Sequence, residues 1–479
     1  MNESLDQMTV NGGDVPAKDT FGVHNPATGR VFAQAPDCSP EQLDEALRAA
    51  SDAFPLWRED IGARRAALLA AADRIEESAG DLAPLLTLEQ GKPLADAHFE
   101  VMLTAMSLRA TAALDVPREV IRDDETELIE VLHQPMGVVA VITPWNFPLT
   151  LAAVKCGPVL LAGNTVVLKP SPFTPLSTLA LGVILRDVLP PGVLNVVSGR
   201  DPLGARLAEH PVPRKISFTG STATGKRVAA AAAYDLKRLT LELGGNDAAI
   251  LLDDVDLDAH ADSLFWAAFV NCGQVCAAMK RLYVPRARYT EVVDALADRA
   301  RSVKVGDGML PDVQMGPLAI APQFARVQEL VSEALAGGAT AAAGGGRLDG
   351  DGYFFAPTIL RDIEDGARVV DEEQFGPVLP VIAYDDVEEA LARANGTQYG
   401  LDGSVWSADA DRAATLAARL ECGTSWVNTH SMPTQGVPMG GHKWSGLGVE
   451  GALAGLLSST ETKVLHVVRG GNGTGIALS

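Results

Sequence analysis

Cysteine is scarce in this chain of 479 residues. The five cysteines have no even spacing, and they lie at Cys38, Cys156, Cys272, Cys276 and Cys422. A disulfide framework is therefore not expected, and a chain of this length does not need one to fold. A metal site is not expected either, because Cys272 and Cys276 lack a nearby histidine pair and supply at most two ligands. Such cysteine usage is typical of a reducing compartment, so we predict a cytoplasmic protein.

Positive charge is also in short supply. The chain has 39 Lys and Arg against 61 Asp and Glu, and its formal net charge is -22. Binding to nucleic acid requires concentrated Lys and Arg, so we do not expect a nucleic-acid partner. The sequence has no uncharged apolar run of about 18 residues that would span a bilayer. Its first 20 residues lack the basic start and apolar core of a signal peptide.

The residues that are abundant predict an α/β protein of two or three domains. Hydrophobic residues make up 47% of the chain and aromatic residues only 5%, with many small side chains that suit helix-on-sheet packing. Short apolar, β-rich runs at 138–142, 165–168, 193–197 and 215–218 alternate with helical patterns. Parallel strands that are covered by helices on both faces are apolar throughout, so these runs predict a doubly wound sheet. A second α/β domain is predicted from residue 248 to about residue 430.

Two other local patterns carry structural predictions. Ser39, Pro40 and Gln42 have the spacing of a capping box that begins a helix. The segments 126–132 and 462–468 alternate between apolar and polar residues, as strands with one wet face do. They predict a β-ribbon that pairs outside the main sheets.

Cys276 is the candidate nucleophile, because Gly273 and Gln274 interrupt an apolar segment just before it and could present it on a loop. A cysteine reacts as its thiolate and needs partial exposure, whereas a buried cysteine is inert. Most lone cysteines are simply buried. The interpretation of Cys276 as a nucleophile therefore depends on two polar residues elsewhere in the chain.

Those two residues are Glu242 and Asn146. Glu242 lies between leucines before a double glycine, where an apolar environment would raise its pKa toward that of a general base. The alternative is a strand glutamate on a wet face. Asn146 lies in the corner Pro-Trp-Asn-Phe-Pro and could donate to an oxyanion, or it could merely cap a helix.

The segment 218–226 follows a predicted strand and precedes a predicted helix, as phosphate-binding loops do. It imitates a Walker A loop, but Arg227 stands where the magnesium-binding Ser or Thr is needed, so a nucleotide triphosphatase is not expected. A plain strand-to-helix turn is the alternative. The segment 446–451 spells GxGxxG but follows no strand, so we reject it as a dinucleotide fingerprint. Glu373 and Phe375, beside a turn, suit a ribose and a planar ring.

Taken together, these stretches resemble the aldehyde dehydrogenase superfamily, in order from about residue 25 to about residue 463. The segments that carry the resemblance are 89–93, 144–148, 168–171, 218–225, 241–245, 271–276, 373–377, 426–428 and 438–446. The resemblance implies that Cys276 attacks an aldehyde, that Asn146 steadies the oxyanion of the thiohemiacetal, and that Glu242 activates the water that hydrolyses the thioester.

The resemblance also implies where ligands bind. A small-molecule aldehyde would be oxidised with NAD, NADP not being excluded. Lys169 and Glu373 match ribose-binding positions, Phe375 the nicotinamide side, Ser221 the pyrophosphate and Trp145 the adenosine part of the cleft. The predicted cofactor residues are Trp145, Lys169, Ser171, Gly220, Ser221, Gly225, Leu243, Gly244, Glu373 and Phe375. The predicted substrate pocket consists of Phe147, Val154, Val275, Ala277, Pro433 and Met439.

Three positions depart from the family pattern. Pro172 stands where NAD-preferring members often have a glutamate, which leaves NAD against NADP open. The loop 169–176 has no basic residue beyond Lys169, which favours NAD. Asn246 replaces a lysine, and Met439 replaces a pocket phenylalanine. The positions that often line the aldehyde tunnel in the family are small and apolar here, namely Val154, Val270, Val275 and Ala277. The loop 429–437 has no Arg or Lys, so we expect an uncharged aliphatic or aromatic aldehyde rather than a semialdehyde carboxylate.

The implied fold is a Rossmann-like cofactor domain, a second α/β catalytic domain and a small β-ribbon for oligomerisation. We place the cofactor domain at 1–117 and 136–244, the ribbon at 118–135, the catalytic domain at 245–447, and a return segment with an oligomerisation strand and tail at 448–479. A homodimer or homotetramer is expected, because a ribbon with an open edge is a liability.

Other functions remain open at this point. A CoA-acylating or a semialdehyde dehydrogenase would share Cys276, although Glu242 favours water over CoA. A cysteine hydrolase or acyltransferase would need a histidine base, and none of the eight histidines lies in a recognisable partner motif. A catalytically silent relative would not need the full set of functional positions.

Overall fold

The apolar runs of the sequence lie at the centre of two parallel sheets. The computed structural model describes residues 7–430 and 436–469. The strands in these ranges are β1 (Gln7–Val10), β2 (Gly13–Pro16), β3 (Asp19–Asn25), β4 (Arg30–Asp37), β5 (Glu119–Asp123), β6 (Glu127–Pro135), β7 (Val138–Ile142), β8 (Thr165–Lys169), β9 (Leu194–Val196), β10 (Lys215–Thr219), β11 (Arg238–Glu242), β12 (Asp247–Leu251), β13 (Met279–Pro285), β14 (Thr340–Ala343), β15 (Thr358–Arg361), β16 (Val378–Tyr384), β17 (Asp402–Trp406), β18 (Thr424–Val427), β19 (Gly446–Leu447) and β20 (Thr460–Val468).

Helices alternate with these strands over most of the chain. The α-helices in the same ranges are α1 (Pro40–Trp57), α2 (Ile61–Glu77), α3 (Ala79–Gln90), α4 (Leu94–Ala112), α5 (Pro148–Leu161), α6 (Leu176–Leu185), α7 (Asp201–Glu209), α8 (Thr222–Ala233), α9 (Leu257–Phe269), α10 (Tyr289–Ser302), α11 (Ala321–Ala336), α12 (Arg368–Asp371), α13 (Val387–Asn395), α14 (Ala410–Ala417) and α15 (Ala452–Leu457).

The first sheet has the strand order β19-β11-β10-β7-β8-β9-β1-β2. Strands β11 to β9 are parallel, whereas β19, β1 and β2 pair antiparallel at the edges. The chain proceeds from β7 outward to β8 and β9, and then returns to add β10 and β11 on the other side. The strand order therefore reverses between β7 and β10. Ligands of doubly wound sheets bind outside the carboxyl ends of the strands at such a point.

The second sheet has the order β14-β15-β16-β13-β12-β17-β18 and is parallel except for β14. Strands β7, β8, β12 and β17 are buried throughout, as expected when helices cover both faces of a sheet. Each of the two sheets has its own cluster of buried apolar residues. The predicted doubly wound sheet and second α/β unit are therefore present.

The two alternating segments pair with each other, as predicted. Strand β20 runs antiparallel to β6 from Thr460 opposite Pro135 to Val468 opposite Glu127, and β5 adds a third strand on the far side of β6. Beyond Thr460 the side chains of β20 are exposed. Within residues 7–430 and 436–469, no strand pairs with the outer edge of β20.

The predicted capping box is confirmed at the start of α1. Ser39 Oγ accepts the Gln42 N–H at 3.3 Å, and Gln42 Oε1 accepts the Ser39 N–H at 3.0 Å. In the described parts of the chain, no helix has the length and apolar character needed to cross a bilayer. The domain boundaries given above stay a prediction.

Candidate active site

The candidate nucleophile follows a turn of unusual backbone conformation between α9 and β13. Asn271, Cys272 and Gly273 have φ angles of 51°, 59° and 68°. A non-glycine residue held in this region costs about 1–3 kcal/mol, so the surroundings must hold the turn in place. Glycine is required at position 273, because a Cβ there would overlap the carbonyl of Gly376. The turn leaves Cys272 buried and Cys276 half-buried.

Hydrogen bonds from distant segments hold this turn. Asn146 Nδ2 donates to the Gln274 carbonyl at 3.0 Å, and Asn271 Nδ2 donates to the Asn146 carbonyl at 3.0 Å. Gln90 Nε2 donates to Asn271 Oδ1 at 3.1 Å. The structure thus brings Asn146 to the loop that carries Cys276. An amide nitrogen has two hydrogens, so Asn146 retains one donor beyond its bond to Gln274.

A buried ion pair supports Asn146 from behind. Lys92 Nζ contacts the Glu100 carboxylate and donates to the Asn146 carbonyl at 3.0 Å, and both side chains are 1% exposed. Glu100 Oε1 also accepts the N–H groups of Leu149 at 3.0 Å and Thr150 at 3.3 Å, in the first turn of α5. This pair therefore fixes the turn that carries Asn146 and caps the helix that follows.

Glu100→Gln is expected to destabilise the protein strongly. Breaking a buried pair leaves an uncompensated charge, so the free energy of unfolding should fall by about 3–5 kcal/mol. Urea denaturation followed by tryptophan fluorescence measures the loss. Asp385→Asn is the matched control, because the Arg286–Asp385 pair is 62% and 66% exposed and should contribute little. Equal losses in the two variants would contradict the supporting role of the buried pair.

Glu242 ends β11 and is only 4% exposed. Neither carboxylate oxygen has a hydrogen-bond partner among the described residues. Burial raises the pKa of Glu242 well above its usual range, Glu450 raises it further, and Lys155 opposes the shift. Three residues after Glu242, the main chain at Gly245 lies against the Cys276 carbonyl. The structure therefore brings the acid to the nucleophile loop from another sheet.

Lys155 and Glu450 form a polar group near Glu242 that the sequence did not reveal. Buried Lys155 Nζ contacts Glu450 Oε1, and Ser217 Oγ donates to the same oxygen at 3.2 Å. Lys155 is the one charged residue of α5, and this isolated charge was an available signal. Glu450 lies in the rejected GxGxxG segment, whose first two residues form β19 beside β11, with Gly446 opposite Glu242.

Burial and nearby acidic side chains both disfavour ionisation of the Cys276 thiol. Burial raises the pKa of Cys276, and Glu242, Glu373, Asp247 and Asp402 raise it further, in that order. Cys276 therefore needs a base to become a thiolate near neutral pH. Glu242 is the largest electrostatic influence on it, and its raised pKa makes it a stronger base than an ordinary glutamate.

Glu373 and Phe375, two of the predicted cofactor residues, lie beside the segment that follows Glu242 and beside Trp145. Glu373 Oε1 accepts the Gly245 N–H at 3.0 Å, and a Cβ on Gly244 would overlap the same carboxylate. Burial raises the pKa of Glu373 to about 7. The rings of Trp145 and Phe375 meet edge to face with centroids 5.3 Å apart.

Asn246, which replaces a lysine of the family pattern after the double glycine, forms a hydrogen bond to the segment just before Glu373. Its Nδ2 donates to the Val370 carbonyl at 2.8 Å. Arg281 Nε donates to the Asn246 carbonyl at 2.9 Å. The residue therefore ties the end of α12 to the segment that follows Glu242.

The pyrophosphate end of the predicted cofactor site lies where the strand order of the first sheet reverses. Ser221, which follows β10, is the N-cap of α8, and its Oγ accepts the Thr224 N–H at 3.3 Å. The first amide groups of a helix lack partners within the helix and attract phosphate. Thr143 and Thr219, at the ends of β7 and β10, have buried hydroxyl oxygens with no partner among the described residues. These residues fit a dinucleotide that carries phosphate.

Four other predicted cofactor residues lie at or just after the same strand ends, or in the helix that follows. Gly220 follows β10, and a Cβ on Gly225 would overlap Leu243. Lys169 ends β8 and is buried, with Nζ donating to the Pro170 carbonyl at 3.0 Å. Burial lowers the pKa of Lys169 to about 8. Ser171 Oγ accepts the Phe173 N–H at 3.2 Å.

The predicted pocket residues lie on both sides of the nucleophile loop. The Phe147 ring packs against Lys92, with Nζ 3.9 Å from its centroid. Met439 exchanges two main-chain hydrogen bonds with Glu450, at 2.8 Å and 2.7 Å. Val154, Val275 and Met439 are half-buried, and Ala277 is buried. Pro433 lies outside the described residues.

A family model described as "Aldehyde dehydrogenase family" matches residues 15–465. The chain belongs to the aldehyde dehydrogenase family. The predicted family, fold and enzyme class, an NAD(P)-dependent aldehyde dehydrogenase, are thereby confirmed. The rival hydrolase prediction loses its support. His430, a buried histidine near Ala277, hydrogen-bonds Ser404 Oγ at 2.9 Å through Nδ1.

Individual aldehyde dehydrogenases are similar over almost the whole chain. A glutarate-semialdehyde dehydrogenase of Pseudomonas aeruginosa is 39% identical, with 96% of this chain and 97% of the relative covered. Retinaldehyde dehydrogenase 3 of Rattus norvegicus is 38% identical, with 93% and 89% covered. The NAD+ complex of a Bacillus cereus aldehyde dehydrogenase superposes with a TM-score of 0.94 at 38% identity, covering 96% of both chains.

Proposed function

We propose that Cys276, Asn146 and Glu242 carry the reaction of this aldehyde dehydrogenase. The observation that carries the proposal is their convergence: Asn146 bonds to the Cys276 loop through Gln274, and the segment after Glu242 packs on the Cys276 carbonyl. Glu242 accepts the thiol proton, and the thiolate attacks the aldehyde carbon to form a thiohemiacetal. The second hydrogen on Asn146 Nδ2 and the Cys276 N–H stabilise its oxyanion.

The second half-reaction uses the same side chains. NAD(P)+ held by Glu373, Lys169 and the α8 N-terminus would supply the hydride acceptor, and Cys276 would then carry a thioester. Glu242 first releases the thiol proton to solvent and then takes a proton from the water that attacks the thioester. It returns this proton to the departing Cys276 sulfur, so that the acid and the free thiol result. Lys155 and Glu450 lie close enough to shift the pKa of Glu242. Because they contact each other, they could also pass a proton from Glu242 to solvent.

We assign the cofactor residues as the sequence predicted, with one change. Lys169 and Glu373 bind the two riboses, and Ser221 with the α8 N-terminus binds the pyrophosphate. The edge-to-face contact between Trp145 and Phe375 favours placing both rings at the nicotinamide end, rather than Trp145 at the adenosine end. The preference for NAD rests on the loop 169–176, where Lys169 is the only basic residue.

The substrate we propose is an uncharged aliphatic or aromatic aldehyde. The small apolar side chains of Val154, Val275 and Ala277 suit an apolar substrate, and the loop 429–437 has no Arg or Lys to bind a carboxylate. The similarity to a glutarate-semialdehyde dehydrogenase makes the semialdehyde the alternative to test. A CoA-acylating activity is disfavoured, because buried Glu242 is placed to direct water at the thioester.

We further propose a cytoplasmic homodimer or homotetramer. The exposed side chains and free edge of β20 would be covered if the ribbon extended a sheet of a second copy.

A panel of aldehydes tested with both nicotinamide cofactors checks the substrate proposal. We expect kcat/KM for octanal or benzaldehyde to exceed that for succinic semialdehyde by roughly tenfold or more, since a buried carboxylate without a cation is costly. Absorbance of the reduced nicotinamide measures the rates. A clear preference for the charged aldehyde would overturn the proposal and favour the semialdehyde alternative.

A further inference from the structure

Lys280 is a buried lysine for which the reaction above has no use. It is the second residue of β13, four residues after Cys276, and its side chain is fully buried. Two other buried lysines, Lys92 and Lys155, contact carboxylates directly. Among the residues that the structure describes, no carboxylate oxygen lies within 4.0 Å of Lys280 Nζ. A buried ammonium without such a partner is costly and calls for an explanation.

The hydrogen bond of Lys280 goes to the nucleophile loop. Its Nζ donates to the carbonyl of Gly273, the last residue of the left-handed turn before Cys276. On another side, Nζ lies 5.7 Å from the centre of the Phe375 ring, near the edge of the cofactor site. The ammonium therefore lies between the turn that presents the thiol and the ring that borders the nicotinamide.

The groups that face Lys280 are mostly acidic. Burial lowers the pKa of Lys280 to about 8, and Glu373, Asp247, Cys276 and Cys272 oppose this shift, in that order. Its own charge helps to lower the pKa of nearby His430, which falls to about 4 mainly through burial. Two arginines also act on these acids, Arg281 on Asp247 and Arg326 on Glu373. Lys280 is the cation that bonds to the turn before Cys276.

We propose that Lys280 is a positioning residue for Cys276: its ammonium fixes the left-handed turn through the Gly273 carbonyl and offsets the negative charge that the thiol acquires on losing its proton. The proposal rests on the proposed role of Cys276 as the nucleophile. The proton moves from Cys276 Sγ to the Glu242 carboxylate, and Lys280 keeps its own proton throughout. No further reactant is needed, and the net charge of the site does not change.

Alkylation of Cys276 by iodoacetamide in the cofactor-free protein tests the proposal without relying on turnover. The rate is measured against pH from the modified peptide by mass spectrometry, since only the thiolate reacts. Lys280→Met removes both charge and donor, whereas Lys280→Gln removes the charge and keeps a donor. We expect both variants to be alkylated about tenfold more slowly near neutral pH, as a rise of one unit in the thiol pKa requires.

The proposal also predicts the pH range in which Lys280 speeds the alkylation of Cys276. Lys280 is charged below its pKa of about 8, so it assists thiolate formation there and loses this effect at higher pH. The variants should therefore approach the wild-type rate as the pH rises. Glu373 and Asp402, whose pKa values are raised to about 7 mainly by burial, are already ionised when Lys280 titrates. Glu242 and Asp247 also face this region, and both variants keep these carboxyl groups. Loss of the Lys280 charge removes one of the two charges, with that of Arg281, that lower the pKa of Asp247.

Three outcomes would overturn the proposal. The first is a wild-type alkylation profile in Lys280→Gln. The second is the same slowing in Lys237→Met, a matched buried lysine that pairs with Asp235 away from the site. The third applies even if neither Lys280 variant folds: the logarithm of the wild-type rate should rise less steeply than the pH above about pH 8, and an unbroken slope of about one would contradict the role of Lys280.

The result also separates this proposal from the proposed function. If alkylation of Cys276 leaves the aldehyde dehydrogenase active, the assignment of the nucleophile fails. If alkylation abolishes activity at the same rate in the wild type and in the Lys280 variants, only the proposed role of Lys280 is wrong.

Discussion

Cys276→Ala is expected to leave the enzyme without measurable production of reduced nicotinamide, with kcat lower by roughly 10⁴-fold or more, because no thiohemiacetal can form. Cofactor binding should persist, since neither Glu373 nor the α8 N-terminus depends on the sulfur. Absorbance of the reduced nicotinamide measures turnover, and quenching of tryptophan fluorescence on titration with NAD measures binding.

Cys272→Ala is the matched control for this experiment. Cys272 is buried at 2% exposure, four residues earlier on the same loop, and burial raises the pKa of its thiol. Its replacement removes only a small buried side chain, so turnover should fall mildly. Equal losses in the two variants would undo the assignment of Cys276, because they would mean that the shape of the loop matters and the thiol at position 276 does not.

Glu242→Gln is expected to separate the two half-reactions. The amide cannot take a proton from water, so the thioester should accumulate and steady-state turnover should fall by about 10²–10⁴-fold. A pre-steady-state burst of reduced nicotinamide should keep an amplitude close to the concentration of active sites, but it should form more slowly near neutral pH, because the amide cannot accept the thiol proton either. Stopped-flow absorbance measures the burst, and mass spectrometry of the quenched enzyme detects the acyl group on Cys276.

The pH profile gives a second measure of the same residue. Glu242 acts as the carboxylate, and burial raises its pKa above the usual range, so wild-type turnover should rise with pH across a limb that lies higher than for an ordinary glutamate. Glu242→Gln should lose that limb. The burst of Glu242→Gln should become faster as the pH rises, because the thiol then loses its proton without Glu242. A variant that shows no burst even at high pH would contradict the two proton-transfer roles proposed for Glu242.

The sequence was most informative where function restricts a short segment. The double glycine after Glu242 could be recognised because the main chain there touches both Glu373 and the Cys276 carbonyl, and side chains at Gly244 and Gly245 would not fit. The parallel sheets could be predicted because strands such as β7 and β12 are buried on both faces and are therefore apolar in every position.

Long-range contacts were harder to predict. Lys155 and Glu450 are 295 positions apart, and no local pattern tells that two isolated charges will meet beside Glu242. Asn271 looked like one residue of a motif, yet its role is to hold a left-handed turn by bonding to Asn146 and Gln90. Such roles depend on which strands lie side by side, and that information is spread over the whole chain.

The contact between Gly273 and Gly376 has a consequence for redesign of the enzyme. With no side chain at either position, the two backbones touch, so the segment that presents the sulfur and the segment that carries Phe375 form one unit. Their spacing is set by main-chain atoms and cannot be tuned by choosing larger or smaller residues. Substitutions meant to broaden the range of accepted aldehydes should therefore be made at proposed pocket residues such as Val154 and Met439, and should leave Gly273 and Gly376 unchanged.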